Sequence, residues 1–390
     1  MKIENICFIT DGYPSEYRVV NAFVETLVNE IADSGVNCYV IAPQSISKAI
    51  KIKTCILPYL RVRKTSKNNR VKIYSPKYIS VSTKRIGKIN PSKLTLSNFR
   101  RASVRVFNRL HKDVHFDAVY GHFIFEPGIV ANYIGKKYNI PAFFAYGENT
   151  TYSIDYLGEN ITRQLLEGIS GVVSVSTENK RVLIFKQMVE EKKIGVFPNS
   201  IDTTYFYRRD KDEMRERLGF PQDAFIIAFV GRFLDVKGPN RLSKAIEELA
   251  DNDIHSFFIG EGSLEPTCNN ILYKGTVRHD KIGDYLSAAD VFVLPTLAEG
   301  CCNAIIEAMA CGLPIISSNQ SFNDDILDDT CSIRIDPENI NEIRNAIKLI
   351  KNNGELRVEM AKAAIHKAKY FTIDNRATNV LNFMEQHIEK

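Results

Sequence analysis

The segment AFIIAFVGRFLDVKG, residues 224–238, places seven consecutive apolar residues directly before a loop bounded by two glycines. An unbroken apolar run that ends at glycine predicts a strand buried on both faces, as in a parallel sheet. The loop itself holds two cations, Arg232 and Lys237. A guanidinium and an ammonium group beside glycine backbone suit a phosphate ligand. A pair of ordinary surface cations is the alternative, and this segment alone leaves both open.

The segment EGCCNAIIEAMACGL, residues 299–313, combines two carboxylates with a predicted short helix. The helix is predicted to start near Asn303 and to end at Gly312. The N–H groups of its first turn would form a site for an anion such as a diphosphate. Glu299 precedes the helix and Glu307 lies within it, and a carboxylate can accept two hydrogen bonds from a vicinal diol. With the cationic loop, these residues predict a nucleotide-sugar site; local pairing of Glu307 is the alternative.

Apolar runs alternate with helical stretches along the chain, and this alternation predicts an α/β fold with two doubly wound domains. Strands of the first domain are predicted at ENICFIT, NCYVIAP, FDAVYG, PAFFAYG, GVVSVS and KIGVFP. Strands of the second are predicted at AFIIAFVG, HSFFIG, ILYKG, VFVLP and LPIISS. We predict an N-terminal acceptor-binding domain over residues 1–197 and a donor-binding domain over 198–371, with the last helix, 372–390, packing back on the first domain. The carboxyl ends of the two sheets are expected to face a cleft.

Composition places the chain among soluble globular proteins, with 44% hydrophobic and 25% charged residues over a length of 390. No stretch approaches the ~20 apolar residues of a membrane span, and the N-terminus does not resemble a signal peptide. The eight cysteines are scattered without metal-ligand spacing. They predict free thiols in a reducing cytoplasm.

A basic segment interrupts this ordinary composition. Residues 34–112 contain 19 Lys or Arg and no Asp or Glu, which leaves 32 basic and 46 acidic residues in the rest of the chain. We expect the part over residues 48–112 to bind an anionic membrane surface, so that the protein is peripheral on the inner face of the membrane; a surface for a polyanionic acceptor and an ordinary solvated basic loop are the alternatives. Short β-like pieces are predicted at TCILPYL and VKIYSP, followed by a helix over about 96–111. Four arginines of that helix lie mostly on one face, while its apolar face either lies on a membrane or packs in the core: Arg100, Arg101, Arg105 and Arg109.

Three motifs resemble glycosyltransferase family 4. They are the E-x7-E pattern from Glu299, the G-R-x4-K-G loop from Gly231, and IDTTYF after FPNS over residues 197–206. The similarity extends over nearly the whole chain and is strongest over residues 172–320. Members of that family are retaining enzymes with the GT-B fold, so the resemblance implies two Rossmann-like domains and retaining glycosyl transfer.

The resemblance also implies roles for particular residues. Arg232 and Lys237 would hold the donor diphosphate, Glu307 would bind the ribose, and Glu299 would contact the transferred sugar. The base-binding loop of the family corresponds to residues 274–278. The residues implied in catalysis are Glu299, His122, Arg232 and Lys237. Those implied in donor binding are Arg232, Lys237, Gly300, Cys301, Cys302, Asn303, Ala304, Glu307 and Val277. Members of the family need no bound metal, so neither a metal nor another cofactor is expected.

On the acceptor side, the resemblance is less complete. His122 ends a predicted strand and matches a histidine that, in the family, hydrogen-bonds the transferred sugar; a buried structural histidine is the alternative. The usual glycine-rich first loop is replaced by GYPSEYR, with one glycine, and the usual His-Gly after the fifth strand reads Tyr-Gly-Glu. The frequent Asn-Gly-x-Asp reads Asn-Ser-Ile-Asp at residues 199–202. By position, the acceptor-side residues are Gly12, Tyr13 and Glu148.

These observations predict a hexosyltransferase that moves a sugar from a UDP- or GDP-sugar to a hydroxyl group of a lipid-linked glycan, in cell-surface polysaccharide or glycolipid biosynthesis. A GT-B nucleotide-sugar epimerase or hydrolase would use the same donor pocket without a glycan acceptor. A basic nucleic-acid-binding protein is a third class, but the chain has no recognisable RNA or DNA motif and no aromatic stacking pattern. We therefore expect no nucleic-acid partner.

Overall fold

The computed structural model describes residues 2–17, 20–82, 87 and 90–388. The spacing of apolar residues from Val19 to Ile31 predicts a first helix that ends near Ser34. Val19 lies outside the described range, as do three cations of the basic segment at positions 84, 85 and 88. The described residues divide into two compact units. Unit 1 is Met1–Phe197 together with Ile373–Lys390, and unit 2 is Pro198–Thr372.

The strands, in chain order, are β1 (Asn5–Ile9), β2 (Asn37–Ile41), β3 (Gln44–Ser45), β4 (Leu60–Lys64), β5 (Arg70–Tyr74), β6 (Lys77–Tyr78), β7 (Ala118–His122), β8 (Ala142–Tyr146), β9 (Gly171–Ser174), β10 (Ile194–Val196), β11 (Phe225–Val230), β12 (Ile254–Ile259), β13 (Ile271–Gly275), β14 (Val291–Leu294), β15 (Ile315–Ser318) and β16 (Ser332–Ile335). The helices are α1 (Ala22–Asp33), α2 (Ile46–Lys51), α3 (Ser92–Leu110), α4 (Ile129–Tyr138), α5 (Tyr152–Asp155), α6 (Glu159–Leu166), α7 (Thr177–Phe185), α8 (Lys211–Leu218), α9 (Pro239–Leu249), α10 (His279–Ser287), α11 (Asn303–Ala310), α12 (Ile340–Asn352), α13 (Gly354–Ala368) and α14 (Ile373–Ile388).

Unit 1 is built on an eight-stranded sheet with the order β10-β9-β8-β7-β1-β2-β5-β4. Every neighbouring pair is parallel except β4 and β5, which are antiparallel. Both faces of the sheet are covered, because alternate residues of β1 enter different core clusters. Cys7 and Ile9 belong to one cluster, while Ile6 and Phe8 belong to the other. This is the two-sided burial that the continuous apolar runs predict.

Unit 2 contains a six-stranded parallel sheet with the order β13-β12-β11-β14-β15-β16. All residues of β11, β14 and β15 are buried. The chain leaves β11 toward one edge of the sheet and returns at β14 to build the other edge. The switch point of the strand order therefore lies between β11 and β14, where open α/β sheets bind their ligands beyond the carboxyl ends of the strands.

The last helix, α14, belongs to unit 1 and packs against α1. Val380 and Met384 are fully buried in the same core cluster as β1 and β2. At its far end, the backbone N–H of Ile3 donates to Glu385 Oε1 over 3.0 Å. The structure assigns the return to unit 1 from Ile373, one residue later than the sequence analysis expects.

The basic segment differs in detail from the sequence-based expectation. Only Leu60 of the predicted strand TCILPYL is in β4, and residues 54–58 form a loop. The sequence analysis did not predict α2, β3 or β6. In α3, Phe99 and Phe107 are fully buried, so the apolar face of this helix packs in the core and not on a membrane. Three of its arginines remain exposed: Arg101, Arg105 and Arg109.

No helix among the described residues is long and apolar enough to cross a membrane. All eight cysteines are free.

Candidate active site

The cationic loop of unit 2 follows β11 and contains a single turn of 3-10 helix, Asp235–Lys237. It ends at Gly238, which has φ 74° and begins α9 with Pro239 next to it. A Cβ at Gly238 would lie 2.5 Å from the carbonyl oxygen of Pro295, at the end of β14. Glycine is therefore required here both for the left-handed backbone and for the close approach of the two loops at the switch point.

Lys237 and Glu299 form an ion pair, Nζ to Oε1, with both side chains largely buried. The loop after β11 and the loop after β14 are thereby joined by two of the residues that the sequence analysis assigns to the donor. Thr296 Oγ1 lies 3.3 Å from the same carboxylate oxygen. Since Glu299 Oε1 has these two partners in the free protein, a sugar ligand would have to share the carboxylate or displace Lys237.

Arg232 lies in the same loop, two residues after β11. Its side chain is exposed. Within the described part of the chain its guanidinium makes no ion pair, unlike Lys237. A guanidinium without an ion pair keeps its N–H donors for an incoming anion.

A second glycine-containing loop, GEGS at residues 260–263 after β12, is hydrogen-bonded to the loop after β11. The backbone N–H of Gly231 donates to Ile259 O, and that of Phe233 donates to Glu261 O. A Cβ at Gly260 would lie 1.9 Å from Gly231 O, so no side chain fits at this position. The GEGS loop after β12 therefore fixes the backbone that carries Arg232.

The segment that precedes α11 is buried: Gly300, Cys301 and Cys302 are all enclosed, while Asn303 and Ala304 are half-buried. Cys302 occupies the N-cap position of α11, where a stronger oxygen acceptor is usual. Asn199 holds the segment in place, because its N–H donates to Cys301 Sγ over 3.2 Å and its Nδ2 donates to Cys301 O over 3.1 Å. The sequence analysis noted Asn199 only as a motif position; its contact 102 residues away carries no local sequence signal.

Glu307 lies on α11 and is 6% exposed. Its Oε1 is 3.1 Å from Nε2 of His279, the first residue of α10. The hydrogen bond with Glu307 is the main cause that raises the pKa of His279, and burial opposes it. His279 was not among the predicted site residues. It directly follows residues 274–278, so its position after the predicted base-binding loop was the signal that could have found it.

Val277 lies between β13 and α10 and is half-buried. The two charged residues of the predicted base-binding loop form ion pairs, Lys274 with Glu265 and Arg278 with Asp280. Of the predicted base-binding loop, Val277 is thus the residue that offers apolar surface for a base.

In unit 1, His122 ends β7 and is 6% exposed. Its ring lies against two phenylalanines, with centroids 5.0 Å from Phe23 and 4.8 Å from Phe123. Burial lowers the pKa of His122 to about 3, and the charge of Arg376 acts in the same direction. Its Nδ1 has no hydrogen-bond partner in the described structure. His122 is therefore a neutral histidine with one ring nitrogen unused, and not a fully satisfied core residue.

Glu126, four residues beyond His122, was not predicted to be functional. It is 4% exposed, and its backbone has φ 64° and ψ −71°, a conformation that non-glycine residues rarely adopt. Burial raises its pKa to about 7. Burial also raises the pKa of Glu148, after β8, to about 7. Two carboxyl groups that titrate near neutrality thus lie at the carboxyl edge of the unit 1 sheet, and only Glu148 was anticipated.

Gly12 and Tyr13, the other acceptor-side residues, follow β1. Both line an open cavity of about 770 Å³ in unit 1, together with residues from the ends of β2 and β5. The loop that contains these two residues therefore borders an open cavity, and its role toward the acceptor stays a prediction.

Two family models match the chain. One is Glycosyltransferase Family 4, over residues 20–205, and the other is Glycosyl transferases group 1, over residues 210–367. The first match falls almost wholly within unit 1 and the second within unit 2.

Similar curated proteins include TuaC of Bacillus subtilis (strain 168), named as a glycosyltransferase of teichuronic acid biosynthesis. It is 26% identical over 328 residues, which cover 80% of this chain and 80% of that protein. A UDP-Gal:alpha-D-GlcNAc-diphosphoundecaprenol alpha-1,3-galactosyltransferase of Escherichia coli is 28% identical over 240 residues, covering 55% of this chain and 61% of that protein.

Similar solved structures include sucrose-phosphate synthase from Thermosynechococcus elongatus, with a TM-score of 0.74 and 17% identity over 98% of each chain. The Anabaena protein Alr3699/HepE, in complex with UDP, has a TM-score of 0.74 and 14% identity, covering 99% of this chain and 100% of that one. At these identities the likeness concerns the fold, and it shows the GT-B architecture.

Proposed function

Since this chain belongs to glycosyltransferase family 4, we propose that it moves a hexosyl group from a UDP- or GDP-sugar to a hydroxyl group of a glycan, with retention of anomeric configuration. The observation that carries the proposal is the arrangement around α11 in unit 2. Lys237 and Glu299 meet at one end of this helix, and Glu307 projects from it toward His279.

In the proposed donor complex, the diphosphate lies beside Arg232, Lys237 and the first turn of α11. Glu307 accepts hydrogen bonds from the ribose, and Glu299 accepts them from the transferred sugar. Val277 packs against the base. Gly300 and the four residues after it contribute backbone contacts to the sugar and the phosphates. Lys237 would thus exchange its contact with Glu299 for the diphosphate, while Glu299 and Glu307 would accept hydrogen bonds from neutral hydroxyl groups.

The acceptor is proposed to be a lipid-linked glycan in cell-surface polysaccharide or glycolipid biosynthesis. Support comes from the relatives: one is named for teichuronic acid biosynthesis, and another acts on a diphosphoundecaprenol-linked sugar with UDP-Gal as its donor. The second name also favours UDP over GDP. The acceptor-side residues in this proposal are Gly12, Tyr13, His122 and Glu148.

The proposed reaction is a front-face displacement. The bond between the anomeric carbon and the β-phosphate oxygen breaks while the acceptor oxygen bonds to the same face of that carbon. The leaving phosphate oxygen takes the acceptor proton, so the step needs no protein nucleophile and no metal ion. Arg232, Lys237 and the helix N-terminus stabilise the negative charge that grows on the diphosphate. His122 is neutral because it is buried. In this proposal it offers the transferred sugar a hydrogen bond but adds no positive charge beside the diphosphate.

Calorimetric titration with UDP and with GDP tests the donor site. We expect Lys237→Ala and Glu307→Gln each to weaken binding of the preferred nucleotide at least tenfold. Lys244→Ala and Glu338→Gln are matched controls, because both residues are exposed in unit 2 away from this loop. Unchanged affinity in Lys237→Ala and Glu307→Gln, with thermal unfolding like that of the parent, contradicts the assignment. Incubation with the sugar donor alone separates transfer from hydrolysis or epimerisation, since a transferase releases little nucleotide without an acceptor.

We also propose that the basic segment, residues 48–112, binds an anionic bilayer. It presents exposed cations beside exposed apolar side chains: Ile50 is 71% exposed, Ile79 57% and Val62 53%. Lys51 and Lys53 follow Ile50 in the sequence, and both are exposed. Each cation close to an anionic surface contributes about 1 kcal/mol, and the apolar side chains can enter the interface.

Co-sedimentation with phosphatidylglycerol and phosphatidylcholine vesicles tests this surface. We expect binding to the anionic vesicles only, weakened by salt and by the double change Lys51→Glu with Lys53→Glu. The matched control reverses two exposed lysines of unit 2, Lys244→Glu with Lys362→Glu. If both double variants lose vesicle binding equally, the binding depends on the net charge of the protein and not on this surface. Salt-dependent RNA binding without vesicle binding would favour a nucleic-acid partner instead.

A further inference from the structure

The cavity in unit 1 that Gly12 and Tyr13 border lies at the carboxyl ends of β1, β2 and β5, three adjacent parallel strands. The far wall comes from α2, β4 and the loop between them, all within the basic segment. No role in the family resemblance covers these latter elements.

Three residues that line the cavity each have a buried polar atom without a hydrogen-bond partner in the described structure. Tyr13 is 4% exposed and Ser75 1% exposed, yet neither hydroxyl makes a hydrogen bond in the described structure. Arg61 Nε is likewise buried without a partner, although Nη1 of the same side chain donates to Pro14 O over 2.9 Å. Buried polar groups are nearly always hydrogen-bonded, and each unpartnered one carries a cost. Three of them in the lining of one cavity indicate a ligand that accepts hydrogen bonds.

The charge of the lining favours an anion. Arg61 and Lys48 both line the cavity, and Asp11 is the only acid among the described lining residues. Asp11 is exposed and accepts a hydrogen bond from Asn21 Nδ2 over 2.9 Å. Burial lowers the pKa of Arg61, and the neighbouring Arg63 acts in the same direction, although Glu25 opposes them. A ligand anion would supply the counter-charge that Arg61 lacks at this position.

The wall of the cavity is held in place before any ligand arrives. Gln44 Nε2 donates to Leu57 O over 2.8 Å and to Ser75 O over 2.9 Å, and its Oε1 accepts from the N–H of Leu57 over 2.7 Å. One side chain therefore joins the loop before β4 to the end of β5. Such preorganisation reduces the entropy lost on binding.

Apolar side chains adjoin the cationic groups. Ile52 lines the cavity and is 51% exposed, and Leu57 also lines it. Two further isoleucines next to the lining residues are exposed, Ile50 at 71% and Ile56 at 43%. A ligand that filled the cavity with an anion and covered these side chains would have to be amphiphilic.

We propose that this cavity binds a phosphate group carried on an apolar chain, with Arg61, Lys48 and the hydroxyl of Tyr13 as its ligands and Ile52 and Leu57 against the chain. The inference rests on the proposed transfer to a lipid-linked glycan and deepens it, because the diphosphate of such an acceptor has this chemistry. An anionic headgroup of the bilayer has the same chemistry, and the experiment distinguishes the two sources.

The probe is farnesyl diphosphate, titrated calorimetrically into the full chain in the presence of saturating UDP, so that the donor site is occupied. We expect Arg61→Gln to weaken binding at least tenfold and Tyr13→Phe several-fold. Arg109→Gln is the matched control, since Arg109 is an exposed cation of the basic segment outside the cavity. Farnesol, which lacks the phosphate, should bind at least tenfold more weakly than farnesyl diphosphate.

Tyr13→Phe separates a binding role from a structural one. If the hydroxyl serves only a ligand, its removal leaves the melting temperature of the free protein unchanged or raises it, because no native hydrogen bond is lost. Failure of the parent chain to bind farnesyl diphosphate, or equal affinity in the parent and Arg61→Gln, overturns the proposal.

The source of the phosphate follows from vesicle binding. If the cavity takes the acceptor, Arg61→Gln leaves binding to phosphatidylglycerol vesicles unchanged; if it takes a headgroup, vesicle binding falls by the same factor as farnesyl diphosphate binding. Both outcomes support a phosphate site. Lys237→Ala should lose UDP binding and retain farnesyl diphosphate binding, the latter measured without UDP. Arg61→Gln should retain UDP binding and lose farnesyl diphosphate binding. A failed donor site and a failed unit 1 cavity are thus distinguishable.

Discussion

Nε2 of His279 lies 3.1 Å from Oε1 of Glu307, so the carboxylate assigned to the ribose already has a histidine partner in the free protein. Glu307 is buried, whereas the side chain of His279 is 66% exposed. A buried carboxylate is costly without a hydrogen bond, and His279 provides one while leaving Oε2 for a ligand. If the proposed donor site is correct, this contact would couple the protonation of His279 to the binding of the ribose.

The titration of His279 tests this coupling. Because the hydrogen bond with Glu307 raises the pKa of His279 above 6.5 and burial opposes it, Glu307→Gln should lower that pKa. NMR of the imidazole ring across the pH range measures the change directly. Glu338→Gln, the matched control, should leave it unaltered. An equal pKa in the parent and Glu307→Gln would contradict the coupling.

Protein stability should follow the same pair. A raised pKa in the folded state means that the folded protein binds this proton more tightly, so the stabilisation is complete below the unfolded pKa and is lost as the pH rises through the folded pKa. We expect the melting temperature of Glu307→Gln to fall further below that of the parent at pH 6 than at pH 9. A difference that does not depend on pH would assign the effect to packing.

The titration of His122 should make stability depend on pH in the opposite direction. Its pKa falls from 6.5 to about 3 in the folded protein, so the unfolded chain binds more protons between these values and stability declines as the pH falls through that window. The melting temperature should therefore fall less between pH 7 and pH 5 in His122→Gln than in the parent. His115→Gln, at an exposed site, should behave like the parent.

Glu299 should distinguish the sugar from the nucleotide. If its carboxylate contacts the transferred hexose, Glu299→Gln weakens binding of the sugar donor and lowers the transfer rate by about 10²–10³-fold, the loss typical of a transition-state contact. Binding of the free nucleoside diphosphate should change little, since Lys237 remains. Parallel titrations with UDP and a UDP-sugar measure the two effects. Equal weakening of both ligands would place Glu299 at the diphosphate.

Gly260 should be intolerant of any side chain. Its Cβ would lie 1.9 Å from Gly231 O, so Gly260→Ala must displace the loop that carries Arg232; we expect a loss of about 1–3 kcal/mol in the free energy of unfolding, with weaker UDP binding. Gly219→Ala is the control, because Gly219 has φ +68° but no atom within 4 Å of the added carbon. It should lose about 1 kcal/mol from backbone strain and retain UDP affinity. Denaturant unfolding compares the two.

Metal removal tests the proposed departure of the diphosphate. Because Arg232, Lys237 and the first turn of α11 supply the positive charge in the proposed reaction, transfer should keep its rate within about twofold after treatment with EDTA. Assays with and without the chelator measure this. Loss of activity that Mg²⁺ or Mn²⁺ restores would require a metal in the donor complex.

The sequence by itself determined the α/β architecture and predicted the candidate donor-site residues. A continuous apolar run such as residues 224–230 favours a strand buried on both faces of a sheet, and glycines with cations directly after them predict a ligand loop. These signals depend on residues that are neighbours in the chain, so the sequence alone reveals them. The same holds for α11, whose start at Asn303 is seen in the structure.

Only the tertiary structure decided which side chains meet. His279 with Glu307, and Asn199 with Cys301, are joined across 28 and 102 residues, and no local pattern announces either contact. The apolar face of α3 was ambiguous for the same reason, because an amphipathic helix looks alike whether its partner is a core or a bilayer. The cavity beside Tyr13 likewise arises where three strand ends converge. Convergence of distant segments is a property of the packed chain, and it is therefore the structure that supplies it.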